Sequence, residues 1–298
     1  MKKNYLFSAL FCCLLSTVLF AQQIPDSSFA YAISLPKYAA GTGPTVCVDA
    51  AHQNFHTPDN RFYAFATLLR ADGYVVNAFE ESFSEESLKK CFILVISNPL
   101  HEQNASSWQL PNPSAFTNNE IQAVKNWVAN GGRLFLIADH MPFAGAAHDL
   151  AQAFGFEFLN CFAMDNRQRS AEYFYKSNKT LQAHEVTMGI DTIVTFTGSA
   201  FKIPEKAKQV LELNETYTLL SPQIAWQFED STPYLSAKGF CQLASLEYGK
   251  GKVFVSGEAA MFSAQLAGAN RTPMGMNAPY AKENPKLLLN IIHWLDKN

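Results

Sequence analysis

Seven histidines occur in this chain of 298 residues, and four of them crowd into two short segments. The first reads Asp49-Ala50-Ala51-His52-Gln53-Asn54-Phe55-His56. The second reads Asp139-His140-Met141-Pro142-Phe143, with His148 close behind. A third segment, Glu258-Ala259-Ala260-Met261-Phe262, sets another carboxylate after an apolar run. Imidazoles beside carboxylates suit two kinds of work: general acid and base catalysis, or ligation of a divalent metal such as zinc. In the first reading Asp139 and His140 are the acid/base pair and Glu258 is a second carboxylate, while Asp49, His52, Asn54, His56 and His148 hold substrate. In the second, His52, His56 and His140 are the metal donors. The four-residue spacing of His52 and His56 is not a metal motif by itself, because it falls in a loop ahead of Thr57-Pro58 and Gln53, not a glutamate, follows His52. Each residue also has a plainer role. Asp49 and Asp139 can brace the turns after their strands, and His148, on a helix, can be a packing residue. His101, His184 and His293 read as structural.

These segments matter only if the fold brings them together. Thr45-Val46-Cys47-Val48-Asp49-Ala50 is an apolar, β-branched run and predicts a buried strand. Thr57-Pro58 reads as N-cap and first residue of a helix, whose buried face is Phe62, Phe65, Ala66 and Leu69 and which Gly73 ends. A strand over 74–79 and a short helix over 84–90 lead into the run Phe92-Ile93-Leu94-Val95-Ile96-Ser97. After a long polar loop over 98–116, Thr117-Asn118-Asn119-Glu120 forms a capping box, with Ile121, Val124 and Val128 facing inward. Asn130-Gly131-Gly132 stops that helix, a fourth strand runs from Arg133 to Asp139, and a helix covers 144–154. The alternation breaks over 156–238, which reads as an insertion or an antiparallel edge. It resumes with strands over 240–248 and 252–258 about a Gly249-Lys250-Gly251 turn. Asn284-Pro285 then opens a final amphipathic helix. This rhythm predicts an α/β fold, a doubly wound and mainly parallel flavodoxin-like sheet with an inserted antiparallel or irregular region. In such sheets ligands bind outside the carboxyl ends of the strands, where all three polar segments fall.

Residues 1–21 carry a basic head, an apolar run over 5–20 and Ala21, the pattern of a secretory signal peptide. The reading is a periplasmic or secreted protein with no stable membrane insertion after cleavage, an extended lead-in over 22–44 and one domain over 45–298. Two lysines leave with the leader, taking the formal charge from −3 to −5. That acidity, without a basic run, argues against nucleic acid as a partner. Of the remaining cysteines, Cys47 and Cys91 sit in or beside apolar strands and read as buried hydrophobes, with a single disulfide among Cys47, Cys91, Cys161 and Cys241 as the alternative.

The order of these pieces resembles the class I glutamine-amidotransferase-like superfamily, in particular its exported branches and the ThuA-like (trehalose-utilisation) proteins. The resemblance rests on Val48-Asp49-Ala50-Ala51-His52 with the helix after it, on Trp127-Val128-Ala129-Asn130-Gly131-Gly132-Arg133-Leu134, and on Gly249-Lys250-Gly251-Lys252-Val253. It covers roughly 45–155 and 240–296. Family glutaminases place a cysteine nucleophile at the turn after the fourth strand. This chain has Ala138-Asp139-His140 there, which removes the thioester route. Two functions remain: a hydrolase-type enzyme on a small polar or carbohydrate-derived substrate, or a non-catalytic carbohydrate- or ligand-binding accessory domain. In the second, Trp108, Trp226 and Tyr173-Phe174-Tyr175 supply stacking faces.

Overall fold

The computed structural model describes residues 23–167 and 171–297, so the expected signal peptide lies outside the described residues. Six strands make up the body of the main sheet. They are β1 (Thr45–Asp49), β2 (Val75–Phe79), β3 (Ile93–Ser97), β4 (Arg133–Ile137), β5 (Cys241–Tyr248) and β6 (Gly251–Ser256). Their order is β2-β1-β3-β4-β6-β5, with β5 antiparallel to β6 and the other neighbours parallel. Leaving β5 aside, this is the flavodoxin-like arrangement, in which the chain starts near the middle and reverses direction across the first strand.

Side chains alternate across the sheet, as a strand period of two requires. Val46, Val48, Ile93, Val95, Phe135 and Ile137 face one apolar layer, and Cys47, Leu94, Ile96, Leu134 and Leu136 face the other. Helices α1 (Tyr63–Ala71) and α4 (Asn284–Asp296) cover the first face with Phe65, Leu69, Leu288, Ile291 and Leu295. Helices α2 (Asn118–Ala129) and α3 (Phe143–Gln152) cover the second with Val124, Val128, Ala147 and Leu150. Each large side chain so buried contributes roughly 1.5–3 kcal/mol. The hairpin between β5 and β6 turns at Gly249, whose φ is +60°. Gly251 has no room for a Cβ, which would stand 2.1 Å from the Val128 carbonyl oxygen.

The irregular stretch builds the far edge of the sheet. Lys208–Glu212 and Ala200–Lys202 pair with β5, and Glu157–Leu159 pairs with Ala200–Lys202, giving nine strands among the described residues. A small antiparallel sheet of Phe162–Asp165, Tyr217–Leu220 and Tyr234–Ser236 stands beside it. The lead-in is anchored at two points. Gln23–Pro25 pairs with Ala264–Ala267, and Lys37, Tyr38 and Tyr74 all converge on Asp296 of α4.

Two expectations need correction. α1 begins six residues after Thr57, because the Asn60 carboxamide accepts the backbone N–H groups of Thr57 and Arg61 and holds 57–61 in a turn. Cys47 and Cys91 are not free buried thiols. They form a disulfide, with Cα atoms 5.6 Å apart, that ties β1 to the start of β3. Although 44 residues separate them, β1 and β3 are direct neighbours in the sheet.

Candidate functional site

The carboxyl ends of β1, β3, β4 and β6 do bring the three polar segments to one edge, but they divide into distinct environments. At the end of β1, Asp49 is fully buried. Its carboxylate accepts the His52 Nδ1–H at 2.9 and 3.0 Å and the Asn54 side-chain amide at 3.0 Å. His52 Nε2 meets Glu120 Oε1 at 3.1 Å, and the ring packs against both Phe83 and Phe116, which stack on each other. Burial opposes a charge on His52, but the hydrogen bonds and charges of Asp49 and Glu120 outweigh it and raise its pKa. Glu120 in turn closes the α2 capping box with Thr117. The group is a closed ionic brace between β1 and α2, and it leaves neither His52 nitrogen for a metal or a substrate.

Asp139 and Glu258 lie together behind β4 and β6, and both are buried. Asp139 accepts the His140 backbone N–H at 2.8 Å, while its own N–H donates to Asn98 Oδ1 at 2.9 Å. Glu258 accepts the backbone N–H groups of Ala260 and Met261, both at 2.8 Å. Burial, and then the charge of Asp139, push the Glu258 carboxyl well above its usual range. Burial also raises Asp139, against the nearby His140. Asp139 Oδ1 and both Glu258 oxygens brace the turns that follow their strands.

His140 is different. Its Nδ1 lies 2.6 Å from the Met141 carbonyl oxygen, and since a carbonyl only accepts, Nδ1–H donates there. The ring stacks on Phe162 at 4.4 Å and meets Trp226 edge-on at 4.7 Å, with Phe143 and Trp108 at 5.8 and 6.1 Å. Trp226 is 47% exposed and Phe228, against Phe162, is 38% exposed. Two loops are joined here: Leu110 N–H donates to Gln223 O at 2.9 Å and Ala225 N–H to Trp108 O at 2.8 Å, about a Gln109–Ile224 bridge. The result is an aromatic cluster over His140, which is itself 8% exposed, with Trp226 at its surface and contributions from both loops.

His56 lies beside this cluster, stacked on Phe62 at 4.6 Å, its Nδ1 3.2 Å from Ser97 Oγ. Burial, then the charges of Arg61 and His140, hold its pKa well below the usual histidine range. His52 is shut in its brace, and among the described residues no group of three or more His, Cys, Asp or Glu side chains is placed to hold an ion. His148 lies elsewhere, with Nδ1 on the Phe158 carbonyl, beside a groove of about 720 Å³ shared with Asn112, Asp149 and Gln223. The free cysteines Cys161 and Cys241 are buried, and burial pushes each thiol up to about 12.

Several members of the site escaped the sequence reading. Glu120 was legible only as a helix cap, although an acid in a first turn can also serve a second partner. Asn98 has φ +47°, and its backbone carbonyl accepts the Phe55 N–H while its side chain holds Asp139. An Asn-Pro pair at the end of a strand is its one local signal. Arg61 gave none.

No protein-family model and no curated protein matches the chain. Solved structures do. The mmIFT52 N-terminal domain superposes with a TM-score of 0.60 at 15% identity, over 85% of this chain and 98% of that one. A ThuA-like protein from Bacteroides uniformis gives 0.49 at 13% identity, over 89% and 94%. A GMP synthase protein from Thermoplasma acidophilum gives 0.45 at 8% identity, over 84% and 92%. At 15% identity the first of these likenesses speaks for the fold alone. With the strand order above, the chain is a mixed α/β protein with a large, mostly parallel, flavodoxin-like sheet.

Proposed function

We propose that the chain is a ligand-binding domain whose aromatic cluster over His140 takes a small polar, ring-shaped ligand of the carbohydrate kind. The observation that carries this reading is the half-exposed Trp226 indole set edge-on against His140. An aromatic face accepts the apolar C–H face of a sugar ring, while His140 Nε2 meets a hydroxyl. The carboxylates that would complete a hydrolytic set are committed to backbone N–H groups. Binding is tested by titrating tryptophan fluorescence with a panel of mono- and disaccharides. Trp226→Ala is expected to weaken any binding found at least about tenfold, the scale of a lost aromatic anchor. Full retention of affinity in that variant would refute the reading.

A hydrolase is the second reading, and one observation favours it: the Met141 carbonyl holds the His140 ring by Nδ1, which leaves Nε2 to meet a substrate. Turnover lost in His140→Ala and kept in Trp226→Ala would reverse the preference. The Cys47–Cys91 disulfide, beside the leader read from residues 1–21, supports an oxidising compartment such as the periplasm or the exterior.

A further inference from the structure

At the edge of the aromatic cluster lies a concentration of nitrogen with no counter-charge. The Arg61 guanidinium lies over the Phe55 ring, with Cζ 3.8 Å from the centroid. Its Nη1 donates to the Phe55 carbonyl at 3.3 Å, and its buried Nε has no partner. Among the described residues no carboxylate forms an ion pair with it. His56, 2% exposed, has a buried Nε2 that is likewise without a partner. Phe55 connects this pair to the cluster: its ring lies 5.3 Å from His56, 5.4 Å from Trp108 and 5.5 Å from Phe143.

Buried polar groups are ordinarily hydrogen-bonded, so two nitrogens left without partners in neighbouring side chains call for a partner from outside the chain. Arg61 as a whole is only part-buried, so an anion from solution can reach its guanidinium. The neighbouring acids do not supply the counter-charge, since Asp49 is closed by His52 while Asp139 and Glu258 are held by backbone amides.

We propose that Arg61 and His56, beside His140, form a binding position for an anionic group, a carboxylate, phosphate or sulfate, carried by the ligand of the aromatic cluster. The substrate class becomes an acidic sugar or sugar phosphate. In that respect the inference rests on the reading of the cluster as a sugar site. The planar guanidinium suits such groups because it offers two parallel N–H donors.

The test uses the purified protein at fixed ionic strength, with two kinds of probe. Inorganic phosphate reports on the anion position alone, and glucose against glucuronate and glucose 6-phosphate reports on its link to the cluster. Phosphate is expected to raise the melting temperature of the wild type and of Arg61→Lys, but not of Arg61→Gln. Glucuronate or glucose 6-phosphate is expected to bind at least about tenfold more tightly than glucose, the scale of a charge-assisted contact, with the ratio falling to about one in Arg61→Gln. Whichever of the two gains more identifies the carboxylate or the phosphate as the natural group. An equal phosphate response in Arg61→Gln, or no response in the wild type, overturns the anion position. Neutral sugars bound in a Trp226-dependent way with no preference for charge overturn it while leaving the sugar-site reading intact. A phosphate response that needs Arg61, with no sugar bound, keeps the anion position and removes the sugar reading. Melting in anion-free buffer shows that the variants are folded.

Discussion

Replacing His52 by alanine should cost stability and leave the aromatic cluster over His140 working. The side chains of His52, Asp49 and Glu120 are 7%, 0% and 10% exposed, so the substitution strands two carboxylates in a dry setting. Breaking one partner out of a buried ionic group costs about 3–5 kcal/mol. For a chain of this size that is roughly 2 °C in melting temperature per kcal/mol, or a fall of about 6–10 °C. The pH dependence has a definite sign. His52 has a raised pKa in the fold, so its contribution is complete below the ordinary histidine value of about 6.5 and is lost as pH rises through the folded value. Glu120 is lowered: burial opposes this, but Thr117 and His52 outweigh burial, so its contribution is lost as pH falls through its folded value. The gap between wild type and His52→Ala should therefore narrow as pH rises above neutral. Thermal melts followed by circular dichroism from pH 5 to 9 measure it. An unchanged melting temperature together with lost ligand binding would refute the brace and restore His52 to the site.

Glu172 gives a second pH signature. Burial, against a hydrogen bond from Thr195, pushes its carboxyl up to about 8, so the fold should weaken as pH climbs from the ordinary glutamate range through 8. Glu172→Gln should flatten that decline in melts over the same range, and an unchanged slope would count against it. Removing the Cys47–Cys91 bridge with paired alanines frees a 44-residue separation in the unfolded chain and should cost roughly 2–4 kcal/mol, read by urea denaturation. A midpoint equal to that of the oxidised wild type would show that the bridge contributes nothing.

The sheet was largely readable because its strands are continuous apolar runs and its helices carry regular buried faces. Ile93-Leu94-Val95-Ile96 and Leu134-Phe135-Leu136-Ile137 admit few other readings, and the Thr117–Glu120 box marks the α2 boundary by chemistry. The gathering of the polar segments at one edge followed from strand order. What each polar residue does there was not readable. His52 and His140 look alike in sequence, and only their neighbours separate them: Glu120, 68 residues away, closes one, and Trp226, from the irregular stretch, roofs the other. The Cys47–Cys91 pairing was hidden for the same reason, because it depends on β1 and β3 lying side by side. Arg61 was overlooked because a lone arginine before a helix is ordinary until its lack of an acid is visible.

The backbone clasp between Trp108–Leu110 and Gln223–Ala225 has a consequence for how this protein can be altered. It makes two remote loops a single mechanical part, so that neither tryptophan can be repositioned without carrying the other. A variant with a new ligand preference is therefore most readily reached by exchanging both loops as a matched set. The His140 turn, fixed by β4 and its buried carboxylates, would stay as the constant floor.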